Sequence, residues 1–135
     1  QELLEFHGFP SDHIAIRTSS YDGIDNQRDE VRVHGLHYII ENVNAEDSLL
    51  IVDDVFDSGR SVQAVIDAIK LNSRKNTPDT IRIATVYYKP SKRKVACVPD
   101  YYIHETDDWL IFPHELMGLT KEEVAASKPL ALGEE

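Results

Sequence analysis

Four consecutive apolar residues, Leu49-Leu50-Ile51-Val52, run straight into two acids, Asp53 and Asp54. The run has strand length and no polar alternation, so it predicts a buried central strand covered on both faces. From Ser61 the apolar spacing changes. Val62, Val65, Ile66 and Ile69, joined by the Lys70 stem and Leu71, fall on one side of a three-turn helix. Pro78 closes the next loop, and residues 80–88 are rich in β-formers and predict a second strand. A turn at Pro90 and the basic stretch 91–94 leads to a further short strand at 99–103. Strand, helix, strand in this order predicts a parallel α/β sheet with a right-handed crossover.

The flanks are less regular. Residues 2–7 read as a short helix ended by Gly8 and Pro10, and 13–18 as a strand with Ile14 and Ile16 on one face. Polar and turn-forming residues fill 19–30, which predicts a mobile loop. Val31 and Val33, then Leu36, Tyr38 and Ile40, suggest a hairpin turned near Gly35. Thr120 to Ala126 predicts a short C-terminal helix with Thr120 as its cap.

Composition narrows the partners. The chain has 135 residues, enough for one core, and is read as one domain over 1–135. Its net charge of −10 argues against general binding to nucleic acid or anionic membrane, but not against a small anion held by backbone N–H groups. No apolar run reaches membrane-spanning length, and the lone Cys97 fits a reducing compartment, so a cytoplasmic location is expected.

The chemistry is concentrated after the first apolar run. Ligands of open α/β sheets collect at the carboxyl ends of strands, where Asp53 and Asp54 stand. Asp57 follows, and then Ser58-Gly59-Arg60-Ser61 opens a helix. Carboxylates accept from sugar hydroxyls, while N–H groups at a helix start favour phosphate. The alternative is that Asp57 or Ser58 only caps the helix. The segment has neither the Walker A pattern nor the Gly-x-Gly-x-x-Gly of dinucleotide binders.

Val52-Asp53-Asp54-Val55-Phe56-Asp57-Ser58-Gly59-Arg60-Ser61 closely resembles the phosphoribosyl-pyrophosphate signature of the type I phosphoribosyltransferases. Ser19-Ser20-Tyr21-Asp22 with Asn26-Gln27-Arg28 resembles the catalytic loop of the bacterial xanthine-guanine and hypoxanthine enzymes. Tyr88-Lys89-Pro90 resembles their strand-end lysine motif, and residues 108–115 resemble the segment that closes over the purine. The resemblance implies a largely parallel twisted sheet flanked by helices. It also implies transfer of ribose 5-phosphate from phosphoribosyl pyrophosphate to a 6-oxopurine, with Mg²⁺ as cofactor.

The same resemblance implies residue roles. Asp53 and Asp54 engage the ribose hydroxyls or a metal-bound water, and Asp57 acts as general base near purine N7. Ser58, Gly59, Arg60 and Ser61 cradle the 5′-phosphate, and Lys89 donates to the exocyclic O6. The backbone of Leu110 reads the purine edge, Glu115 helps hold Mg²⁺, and Ser20 and Tyr21 fold over the reacting centre. Trp109, the only tryptophan, would stack on the base, although its sequence context equally suits a core or interface anchor. Family members often carry Asp at the position of Glu115.

One element of the family pattern has no match here. No strand with an Arg/Lys-Gly-Gly pyrophosphate loop precedes Ser19, so the fold is expected to be N-terminally incomplete. Neighbouring backbone and apolar groups should then be uncovered, which would encourage association into a homo-oligomer such as a dimer. Weak or absent transferase activity, with nucleotide binding better preserved, is expected. A non-catalytic nucleotide-binding protein of the same fold is the alternative.

Overall fold

The computed structural model describes residues 1–21 and 30–112. The elements run α1 (Glu2–Phe6), β1 (Arg17–Tyr21), β2 (Glu30–His34), α2 (His37–Asn42), β3 (Ser48–Phe56), α3 (Arg60–Ser73), β4 (Thr80–Tyr88) and β5 (Tyr101–Glu105). Three strands form a parallel sheet in the order β3-β4-β5, while β1 and β2 pair antiparallel as a separate ribbon. The parallel α/β architecture expected from the alternating patterns is present. The predicted C-terminal helix lies outside the described residues.

α3 is the keystone. Val62, Val65, Ile66 and Ile69 are buried along it, with Ser73 continuing the same stripe. Val62 and Ile66 pack with Phe56, Ile83 and Tyr88, whereas Val65 and Ile69 pack with Leu36. The helix therefore joins the parallel sheet to the β1–β2 ribbon and α2. Leu71, expected on the buried side, is exposed instead. It stands two residues beyond Ile69, about 200° around the helix axis at 3.6 residues per turn.

Three boundaries differ from the pattern-based expectation. Residues 13–16 precede the strand rather than forming it, and β1 starts at Arg17. The chain remains extended through Ser19 and Ser20, and the hairpin partner of β1 is β2. The stretch expected to be the second hairpin strand is α2: Leu36 and Ile40 also sit at i and i+4, and both face the α3 cluster. An alternating set with this overlap satisfies either period, and tertiary packing selects the helix.

The largest difference concerns β3. Among the described residues it pairs only with β4, leaving its other edge without a strand partner. Leu49 and Ile51 pack against the helical layer, but Leu50 is 45% exposed and Val52 73% exposed on the opposite face. Among the described residues, β3 is thus covered on one face, not two. Beside its free edge lies a cavity of about 590 Å³, walled by residues 12–16, Leu36, Leu49, Ile51, Val65 and Ile69.

Candidate phosphate and sugar site

A second cavity, about 230 Å³, opens where β3 ends and α3 begins. Asp53, Asp54, Asp57, Ser58, Gly59 and Ser61 all line it. The strand delivers the first two acids, and the turn brings the third beside them. Asp53 Oδ1 accepts the Asp54 N–H at 2.9 Å, and Asp54 Oδ1 accepts the Val55 N–H at 2.7 Å. The acids thereby satisfy two backbone donors at the strand end. Partial burial pushes the Asp53 carboxyl above its ordinary range, with the neighbouring Asp54 charge adding to the effect.

Gly59 is the N-cap of α3 and adopts the left-handed conformation, with φ of 81°. A Cβ there would lie 2.4 Å from Phe56 Cζ and 2.5 Å from Val95 Cγ2. Both conformation and space therefore require glycine. Neither Asp57 nor Ser58 is the cap; instead Ser58 Oγ accepts the Arg60 N–H at 3.3 Å. A left-handed residue leading into a helix turns successive N–H groups toward one side, a concavity suited to an anion.

Lys89 follows β4 directly and is only 5% exposed. Its N–H donates to Phe56 O at 3.0 Å, which ties it to the end of β3. Its Nζ lies 3.5 Å from Asp57 Oδ2 and 5.8 Å from the centre of the Trp109 ring. Lys89 is thus a buried amine paired with an acid of the site. Trp109 is 82% exposed, which removes the reading of it as a core anchor.

The other expected residues are less closely gathered. Ser20 lies on β1, opposite Val31 in the ribbon, and Tyr21 ends that strand. Ser20 does not line the acidic cavity. Leu110 is half-buried beyond β5, and Glu115 lies outside the described residues. His104 stacks against Tyr87 with ring centres 5.1 Å apart. Burial pushes the Cys97 thiol up, which makes it a poor nucleophile.

Pattern reading missed Phe56 and Val95, which form the wall behind Gly59, and the Lys94 N–H, which donates to Ser58 O at 2.8 Å. The available signal was the apolar run 95–98, which had no assigned element.

Residues 16–116 match the family described as "Phosphoribosyl transferase domain". Hypoxanthine-guanine phosphoribosyltransferase of Streptococcus pyogenes serotype M3 is 30% identical over 117 residues, covering 78% of this chain and 61% of that protein. The purine phosphoribosyltransferase structure from Pyrococcus horikoshii is 30% identical at a TM-score of 0.58, covering 78% of this chain and 63% of the other. A hypoxanthine phosphoribosyltransferase structure from Staphylococcus aureus is 20% identical, with a TM-score of 0.51 over 69% of this chain and 47% of that one, a likeness of fold. The chain thus spans about three-fifths of the length of the first two relatives. With its acidic strand end, glycine turn and parallel sheet, this chain belongs to the type I phosphoribosyltransferase family.

Proposed function

We propose that the strand-end cavity holds the ribose 5-phosphate part of a purine nucleotide, and that the chain is a purine phosphoribosyltransferase. One observation carries this reading: three carboxylates and a left-handed glycine turn line a single cavity. The acids suit a sugar's hydroxyls, and the turn suits a dianionic phosphate. The similarity to purine enzymes supports the choice of base.

In the proposed reaction, N9 of a 6-oxopurine bonds to C1′ of phosphoribosyl pyrophosphate. The C1′–O bond breaks, and pyrophosphate leaves with its electrons. Asp57 takes the proton shed by the base, and Lys89 donates to the exocyclic O6. Their 3.5 Å separation supports this pairing, because O6 and N7 lie on the same edge of a purine. Trp109 covers the ring, and the backbone of Leu110 reads its edge. Ser20 and Tyr21 cover the sugar, limiting attack by water on a cationic transition state.

Mg²⁺ fits this donor set in one manner only. Among the described residues no three His, Cys, Asp or Glu side chains gather to enclose a metal. The ion commonly uses one or two carboxylates and takes its remaining oxygens from water and substrate phosphates. Asp53 and Asp54 would supply the protein's share, with Glu115 a further candidate. The bound ion would neutralise charge on the departing pyrophosphate.

Calorimetry with GMP, IMP and phosphoribosyl pyrophosphate, with and without Mg²⁺, tests the site. Binding of GMP or IMP is expected; absence of binding by all three ligands overturns the reading. A second reading, nucleotide binding without turnover, is favoured by the edge of β3 that has no strand partner among the described residues and by the open cavity beside the site. Product formation from guanine and phosphoribosyl pyrophosphate by the 135-residue chain would exclude it.

A further inference from the structure

We propose that the turn formed by residues 93–96 positions the phosphate-binding peptide, through the backbone N–H of Lys94 and the side chain of Val95. The proposal rests on the reading of the Ser58–Gly59 turn as a phosphate site. Lys94 N–H donates to the Ser58 carbonyl at 2.8 Å. The Ser58–Gly59 peptide is trans, so fixing its carbonyl toward Lys94 fixes the Gly59 N–H in the opposite direction. That N–H belongs to the turn lining the cavity, and its direction determines whether an anion meets a donor or a carbonyl oxygen.

Two further contacts hold this arrangement. Val95 Cγ2 and the Phe56 ring fill the space on the Cα side of Gly59, preventing the peptide from swinging that way. Val95 is itself anchored, packing with Cys97 against the Phe56 and Val62 cluster. Arg93 closes the turn: its Nη1 donates to Val95 O at 3.2 Å and Ala96 O at 3.0 Å. The guanidinium thus acts two steps from the ligand, holding the residues that hold the peptide.

The backbone donor can be removed separately from the Lys94 side chain. Lys94→Pro deletes the N–H, and the ψ of 128° at Arg93 suits a residue preceding proline. Lys94→Ala removes the charge and keeps the N–H. Affinities for GMP and guanosine are measured by calorimetry on the full chain and these variants, alongside Arg93→Ala, with thermal melts for each. The wild-type chain is expected to prefer GMP. Lys94→Pro should weaken GMP at least tenfold and guanosine less than twofold, whereas Lys94→Ala should keep the GMP-to-guanosine ratio within twofold.

Arg93→Ala is expected to weaken GMP about threefold to tenfold, again sparing guanosine. Equal wild-type affinity for the two ligands would overturn the phosphate reading itself. A wild-type preference retained in folded Lys94→Pro would overturn the positioning role and leave that reading standing. If Lys94→Pro fails to fold, Arg93→Ala decides, and an unchanged ratio in it rejects the proposal.

Discussion

The carboxyl end of β3 and its open flank are made by neighbouring residues of one strand, yet they differ in completeness. At the carboxyl end, Asp53 and Asp54 accept neighbouring N–H groups, Lys94 meets the Ser58 carbonyl, and Phe56 and Val95 close behind Gly59. Along the flank, Leu50 and Val52 face outward and the strand edge has no described strand partner. The difference separates two contributions that usually arrive together. A local turn can build a phosphate cradle from about ten consecutive residues plus one buttress, whereas covering a parallel strand requires elements distant in sequence.

The sharpest way to break this contrast is Gly59→Ala. A left-handed alanine and a Cβ forced against Phe56 and Val95 should together cost about 2–5 kcal/mol, measured by urea unfolding. GMP affinity should fall at least tenfold in the fraction that remains folded. A near-wild-type midpoint and affinity would show that the turn is more pliable than its geometry implies.

Next in size is a comparison of Ile69→Ala with Val52→Ala. Ile69 is 1% exposed beneath the flank, so truncation should cost about 2–4 kcal/mol. Val52 projects from the uncovered face, and its loss should stay within about 0.5 kcal/mol. If both cost the same, β3 is covered on both sides in solution, and the contrast between its two regions fails.

Asp53→Asn gives a smaller effect whose sign depends on pH. Folding raises the Asp53 pKa, so its contribution to stability is fully present below the unfolded value, about 3.9, and is lost as pH rises through the folded value. The amide should therefore melt about 1–3 °C higher than wild type near pH 7, with the gap closing toward pH 3. A gap that widened in acid would mean that Asp53 is held ionised by a partner.

The smallest effect is expected at Thr85, which pairs with Asp53 in the β3–β4 register. Its Oγ1 is buried and has no hydrogen-bond partner among the described residues. Thr85→Val should stabilise the chain by about 0–1 kcal/mol. A loss of stability in thermal or urea unfolding would reveal a partner for the hydroxyl.

The acids and the turn of the candidate site were far more legible in the sequence than their surroundings. Asp53 to Ser61 is contiguous, so the acids and the turn could be read from order and spacing, as could β3, α3 and β4 with their distinct periods. Phe56, Val95 and Lys94 were not recognised as parts of the turn because two of them return from beyond β4, and no local pattern records that approach. The exposure of Val52 was missed for a related reason. An unbroken apolar run records the burial that a strand's composition suits, not the neighbours present to provide it. Likewise, the Leu36 and Ile40 spacing suited two periods, and contact with Val65 and Ile69 resolved them as helix.

Trp109 has a spectroscopic consequence. It is the chain's sole indole, stands largely in water, and lies 5.8 Å from the Lys89 ammonium. Its fluorescence is therefore an intrinsic signal from one identified position, free of overlapping emission from other tryptophans. A purine that displaced water from this ring would shift the emission toward the blue and shield it from iodide quenching. Titration of the unlabelled protein would then report occupancy beside Lys89 without any measurement of turnover.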